Sequence, residues 1–132
     1  MLRLETRGDG DVLDLTAGVE RVLATTGVER GLVTVFVTGS TAAITTMEYE
    51  PGGVADLQSL LERLIPAGAA WEHNRLNHDT NAHAHLRAAL IGASETIPVV
   101  AGRLALGTWQ QIVLLDFDDR PRTRTVTVQV LD

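Results

Sequence analysis

The sequence predicts an α+β fold: a single domain over residues 1–132, with one mixed or antiparallel sheet system and about three helices. Three observations lead there. Residues 31–37 (GLVTVFV) are short and rich in β-branched side chains, the pattern of a buried strand. Two segments, beginning near Asp14 and at Val54, carry apolar residues at helical spacing. Residues 108–131 hold two long strand candidates separated by a short turn.

Taken in order, residues 2–6 (LRLET) alternate apolar and polar as an edge strand does, and Gly8 and Gly10 mark a turn. A helical pattern runs from Asp14 to Gly27, with Thr16 as its cap and Leu15, Val19, Val22 and Leu23 on one face. After the strand at 31–37, residues 38–41 (TGST) interrupt, and an extended pattern resumes over Ala42–Tyr49. Residues 50–53 (EPGG) read as a loop. The next helix is expected over Val54–Ile65, with Leu57, Leu60, Leu61 and Leu64 inward and Pro66 as its stop. Asp56 falls in its first turn, where a carboxylate complements the helix dipole. A third helix begins near Ala82, after the capping residues Asp79, Thr80 and Asn81; Leu86, Leu90 and Ile91 form its apolar stripe, and Gly92 ends it. Thr96–Val100 is a strand that Pro98 confines to an edge or a strand start. Thr108–Phe117 and Arg122–Leu131 are expected to form a hairpin turning at residues 118–121 (DDRP).

Composition narrows the function classes. The net charge of −6 argues against a general nucleic-acid binder or a partner for anionic membrane. No apolar run reaches transmembrane length and no basic segment opens the chain, so a cytoplasmic location is the expectation. The chain has no cysteine, which removes disulfides, zinc ribbons and thiol nucleophiles.

Chemistry concentrates in residues 71–94. All four histidines, His73, His78, His83 and His85, fall within it, with Asp79 and Asn81 between them. Histidine is the commonest metal ligand and titrates near neutrality. His83 and His85 belong to the first turn of a helix and point in different directions, so one metal does not take both. His85, next to Leu86, faces the protein in this reading; His83 faces solvent. His73 and His85 with a carboxylate would give two imidazoles, one acid and an open position for a divalent metal such as zinc. Glu48 is the preferred acid, beside the hydroxyls of Ser40 and Thr41. Without a metal, His85 would serve as general acid or base while Ser40, Thr41 and an arginine (Arg75, Arg103, Arg122 or Arg124) hold phosphate.

Three stretches together resemble one family. Residues 40–44 (STAAI) with Glu48 are similar to the pattern HTTAAI followed by NE. Trp71-Glu-His73 and residues 81–85 (NAHAH), running into LRAALIG, resemble YxH and NxxxH ahead of KxxLLG. Residues 102–110 (GRLALGTWQ), then 121–124 (PRTR), resemble GxxxLGTWQ and PRxR. These are marks of the YjbQ-like family, sometimes labelled secondary thiamine-phosphate synthase. The resemblance implies a small α+β fold, assembly as a homotrimer with sites near subunit contacts, and a weak thiamine-phosphate synthase activity on phosphorylated small molecules. It maps functional positions onto His73, His85, Glu48, Asp56, Asn81, Thr108, Trp109 and Gln110. One departure stands out: Gly39 occupies the place of the family histidine in HTT. His78 or His83 is then the candidate replacement, with His78 joining His73 and His85 in a metal set. Two functions follow: an enzyme acting on a phosphorylated small molecule, or a non-catalytic trimer that binds a metal or small ligand at a diverged site.

Overall fold

In the computed structural model, which describes residues 1–132, the valines of the third strand decide the layering. Strand β3 (Arg30–Val37) turns Val33, Val35 and Val37 fully inward and Leu32 and Phe36 outward, the period of two that a pleated strand imposes. Along it run β5 (Ser94–Val100) on one side and β8 (Arg122–Leu131) on the other, both antiparallel. Strand β1 (Leu2–Thr6) extends the sheet beyond β8, and the two-residue β6 (Arg103–Leu104) beyond β5. A second antiparallel sheet consists of β2 (Asp11–Asp14), β7 (Gln111–Asp116) and β4 (Ala42–Met47), with β7 in the middle.

Burial explains why the small sheet is the central layer. Residues 112–115 of β7 (IVLL) are all buried, so both faces of this strand are covered. Ile112 and Leu114, with Ala42 and Ile44 of β4, pack against the inward face of the larger sheet. Helix α1 (Thr16–Thr26) closes that core with Val19 and Leu23. Val113, Leu115 and Ala43 face the other way, against Leu61 of helix α2 (Pro51–Leu64) and Ala84 and Ala88 of helix α4 (Ala82–Ile91). A short helix α3 (Glu72–Asn77) precedes α4. The order of layers is therefore five strands, three strands, helices. The outward face of the larger sheet leaves Leu32, Phe36, Val100 and Leu131 exposed. No helix is long and apolar enough to cross a membrane.

Several expectations need correction. There are two sheets rather than one, four helices rather than three, and an unforeseen strand at Asp11–Asp14. Strands β7 and β8 form no hairpin: the turn at 118–121 carries the chain from one sheet to the other. Alternation identified β8 correctly but says nothing about which neighbour a strand pairs with. β7 begins at Gln111, leaving Thr108, Trp109 and Gln110 in the preceding turn. Residues 51–53 belong to α2, because the Glu50 side chain accepts from the amides of Gly52 and Gly53 while Pro51 takes a first-turn position that needs no donor. Thr16 does not cap α1; its hydroxyl accepts from the Ile112 amide at 3.0 Å. In α2 only Leu61 is fully inward, and Leu60 and Leu64 are exposed. Leu86 and Leu90 of α4 are exposed too, since small alanines bring that helix close to the sheet and the leucines fall on the opposite side.

The turn between β1 and β2 lies against the corner between β7 and β8. Asp9 and Gly10 donate their amides to the carbonyls of Asp118 and Asp116, at 2.7 and 2.8 Å. Gly8, at φ +76°, has no room for a side chain: a Cβ there would lie 2.4 Å from the Arg120 carbonyl oxygen and 2.7 Å from that of Asp118. Gly8→Ala should destabilise the protein by ~2 kcal/mol or more, from left-handed strain plus backbone overlap. Denaturant unfolding checks this, and a variant as stable as the parent would refute it.

Candidate functional site

The corner between β7 and β8 carries an acid–base pattern, Asp116-x-Asp118 on one side and Arg122-x-Arg124 on the other. Alternation puts Arg122 and Arg124 on one face of β8. Arg124 is buried, and its Nε and Nη2 donate to the two carboxylate oxygens of Asp116 at 2.7 and 2.8 Å. Nη2 also donates to Thr41 Oγ1 at 2.7 Å, and the Thr6 hydroxyl donates to Asp116 at 2.6 Å. Arg122 grips Asp118 through Nε and Nη2, both 2.7 Å from Oδ2. The Asp118 carboxylate further accepts from the Asp119 amide at 2.9 Å, Thr41 Oγ1 at 3.3 Å and Asn81 Nδ2 at 3.4 Å.

These contacts set the charge states. Burial opposes ionisation of Asp116, but hydrogen bonds from Arg124, Thr6 and the Asp118 amide outweigh it and hold the carboxyl below its ordinary value. Burial likewise opposes ionisation of Asp118, and Arg122 with the Asp119 amide and Asn81 brings it down to about 2. The hydrogen bond to Asp116 raises Arg124 further, against its burial. Both pairs are fully ionised at neutral pH.

Above this floor lies a cavity of about 600 Å³ with no apolar side chain in its wall. Three segments enclose it: Gly39–Thr41 from the β3–β4 connection, Asp79–Asn81 ahead of α4, and the corner residues Asp118, Asp119, Arg120, Arg122 and Arg124. His85, in the first turn of α4, completes it. Of the residues singled out from the sequence, Gly39, Ser40, Thr41, Asn81, His85, Arg122 and Arg124 meet here. Asp118, Asp119 and Arg120 were missed. Asp118 belongs to the DxD pattern that faces RxR across the turn; Asp119 and Arg120 lie between the two, and the sequence reads all three as turn residues. All eleven basic residues of the chain are arginines, the side chain best matched to oxyanions.

His73, on α3, stands beside His85 with ring centroids 4.8 Å apart and planes at 45°. Its Nδ1 lies 3.1 Å from Asn74 Oδ1, which also accepts from the Ala82 amide and so ties α3 to the start of α4. Asn81 occupies the N-cap position without a side-chain cap. His78 ends α3 in a left-handed conformation (φ 51°), exposed and outside the cavity wall. No group of three or more His, Cys, Asp or Glu side chains converges as a metal site. A catalytic zinc takes three protein ligands; within one chain His73 and His85 supply two, and the donor set does not fit.

The other expected site residues sit elsewhere. Glu48 follows the far end of β4, seven residues from Thr41 and so about 20 Å away along an extended strand. Gln110 joins that end through a 3.1 Å bond from Nε2 to Thr46 Oγ1. Thr108 and Trp109 are exposed there, Trp109 at 75%, so the indole belongs to no core of this chain. Asp56 is exposed on α2. The sequence motifs thus fall into two groups at opposite ends of the small sheet.

His83, expected on the surface, is buried instead, because alanines flank it where α4 meets the sheet. Its Nδ1 has no partner. Burial, then the Arg87 guanidinium, lowers its pKa from the ordinary 6.5, while Asp119, Glu62 and Asp9 pull the other way. A neutral buried imidazole contributes fully above the unfolded value. As pH falls through 6.5 the unfolded chain gains a proton that the folded chain resists, so stability declines. Tm should therefore drop between pH 7 and pH 5, and His83→Leu should flatten that drop; an unchanged slope in the variant would rule the assignment out. At the floor, Asp116→Asn should cost about 3–5 kcal/mol by stranding Arg124, whereas replacing both partners with apolar residues should cost much less. Urea unfolding of the two variants decides it.

The comparisons bear on the whole of this arrangement. Residues 1–132 match the family model described as UPF0047 protein YjbQ-like. A UPF0047 protein of Archaeoglobus fulgidus is 43% identical over 130 residues, covering 98% of both chains. The solved structure of a YbjQ-like protein of unknown function from Sulfolobus solfataricus superposes with a TM-score of 0.93 at 35% identity, over 98% of this chain and 92% of its own. A hypothetical protein from Aeropyrum pernix reaches 0.91 at 42% identity, over 98% and 95%. With the family match spanning every residue and the same fold in solved relatives, the chain belongs to the YjbQ-like UPF0047 family.

Proposed function

We propose that the cavity binds a phosphorylated small molecule and that His85 acts on it as a general acid or base. The carrying observation is the wall itself: three arginines, three aspartates, three hydroxyl side chains, an amide and an imidazole around about 600 Å³, without one apolar side chain. Such a surface solvates an oxyanion and offers nothing to an apolar ligand. Asp116 and Asp118 fix two of the arginines by their Nε and Nη2 edges, so the donors are preorganised. In a transfer that expels phosphate or pyrophosphate, the bridging oxygen leaves with the electron pair of the broken bond, and a protonated His85 would neutralise it. The thiamine-phosphate synthase type of reaction, joining a pyrimidine diphosphate to a thiazole phosphate with loss of pyrophosphate, is one such transfer. Its support is the family resemblance together with a wall suited to pyrophosphate.

A homotrimer goes with this reading. Glu48, Asp56 and the Thr108–Gln110 turn lie outside the cavity of their own chain, and assembly would let one copy's group approach the next copy's cavity. Light scattering tests it, and a monomer at working concentration would refute it. A cytoplasmic location, where phosphorylated metabolites are held, belongs to the same proposal. The second reading, a non-catalytic binder, is favoured by Gly39 and by the presence of two rather than three converging imidazoles.

The experiment is calorimetric titration of pyrophosphate and phosphate monoesters, together with phosphate-release assays, on the parent and His85→Ala. Binding should persist in the variant while any turnover falls about 10²–10⁴-fold. Binding with no turnover in the parent selects the binder. Failure of every phosphorylated probe to bind would overturn both readings.

A further inference from the structure

We infer that Gly39 is the aperture of an oxyanion subsite whose donor is the Nη1 group of Arg124, making residue 39 a specificity-determining position. This rests on the phosphate reading of the cavity. Arg124 is 94% buried, from a relative exposure of 6%, and its guanidinium is held at two of its three nitrogens. Nε and Nη2 are taken by Asp116, and Nη2 also by Thr41. Nη1 makes no hydrogen bond within the chain, yet it is not one of the fully buried atoms lacking a partner. It opens toward the cavity that Arg124 and Gly39 both line.

Gly39 stands directly over that nitrogen. A Cβ at position 39 would lie 2.7 Å from Nη1 and 3.8 Å from Cζ, and within 4 Å it would meet no atom outside this guanidinium. An exposed arginine could swing away from such a contact, but three hydrogen bonds pin this one. Gly39 itself lies at φ +133°, a conformation that favours glycine, and the guanidinium contact is a second constraint beside it. Gly27 and Gly92 also have positive φ, at +68° and +100°, and a Cβ at either would meet nothing within 4 Å. At position 39 the missing side chain leaves a buried cation its only free donor.

The hydroxyl of Thr41 accepts from Arg124 and donates to Asp118, so it positions the guanidinium and has no donor left for an oxyanion. The ligand group that fits Nη1 is a compact oxyanion such as a terminal phosphate. One of its oxygens would accept a hydrogen bond from Nη1 while the others face Ser40 and the remaining arginines of the wall. Any side chain at position 39 would stand between that oxygen and its donor.

Inorganic phosphate and pyrophosphate are titrated calorimetrically into the full chain, Gly39→Ala and Gly27→Ala, with thermal melts of each. Gly27→Ala imposes left-handed strain without the guanidinium contact and should bind as the parent does. Gly39→Ala should bind roughly tenfold more weakly or worse, the effect of losing one charge-assisted hydrogen bond. Equal affinity in parent and Gly39→Ala overturns this inference and leaves the phosphate reading standing. If the parent binds neither anion, that reading falls, and the subsite with it. Should Gly39→Ala fail to fold, the crystal structure of the parent grown in phosphate decides. An oxygen within hydrogen-bonding distance of Nη1 above Gly39 supports the subsite, and phosphate seated elsewhere in the cavity refutes it.

Discussion

The ion pair between Asp116 and Arg124 is the constraint on which the arrangement depends. Asp116 ends the central strand of the small sheet, and Arg124 stands near the start of β8 in the large one. Their contact joins the two sheets at one end of the sandwich. Thr6 of the large sheet, Thr41 just ahead of β4 and the Asp118 amide supply the remaining hydrogen bonds. Moving two charges out of water carries a penalty that mutual attraction repays only with good geometry and with the other lone pairs and protons matched. The bidentate pairing, the Thr6 hydroxyl and the Asp118 amide meet that condition for Asp116, and for Arg124 the pairing and Thr41 leave only Nη1 unmatched within the chain. Hydrophobic residues of similar volume could hold the sheets together as well. They could not present arginine donors to a cavity, so the choice of a buried pair here follows from the cavity above it.

Much of the fold was legible because one-face burial leaves a period in the sequence. The alternation Val33, Val35, Val37 and the threonine–valine alternation of β8 both survive in the structure. What was illegible is pairing. Residues 118–121 contain every signal of a tight turn, and the turn exists, but neighbouring strands in sequence went to different sheets. Local chemistry encodes that the chain reverses, and long-range packing decides what it reverses against. Helix α4 shows a second failure of local reading. Leucine outranks alanine in transfer energy, yet Ala84 and Ala88 are buried while Leu86 and Leu90 are exposed, because close approach to Ala43 requires small residues.

The site was half legible for a related reason. The histidine segment pointed to the cavity: His85 lines it and His73 stands beside His85. The two histidines that the segment also contained went to different fates, His83 into the core and His78 to the surface. Family motifs gave their order along the chain and no distances, so Glu48 and the Thr108–Gln110 turn were grouped with residues that lie at the opposite end of the same strand. Of the arginine–aspartate floor, Arg122 and Arg124 were legible in the PRTR stretch, whereas Asp116 and Asp118 read as strand and turn residues.

The placement of β8 has a consequence for how the protein is made. Residues 122–131 run between β1 and β3, so the first strand to be synthesised waits for the last before it has any neighbour in its sheet. Asp116 and Arg124 are only eight residues apart, and closing that short loop is entropically cheap. Thr6 and Asp116 are 110 residues apart, and Thr41 and Arg124 are 83. Without β8, β1 has no neighbour in the sheet, β3 keeps a bare edge, and the cavity has no arginines in its floor. Closure of the large sheet and completion of the cavity floor are thus a single event, since both need β8.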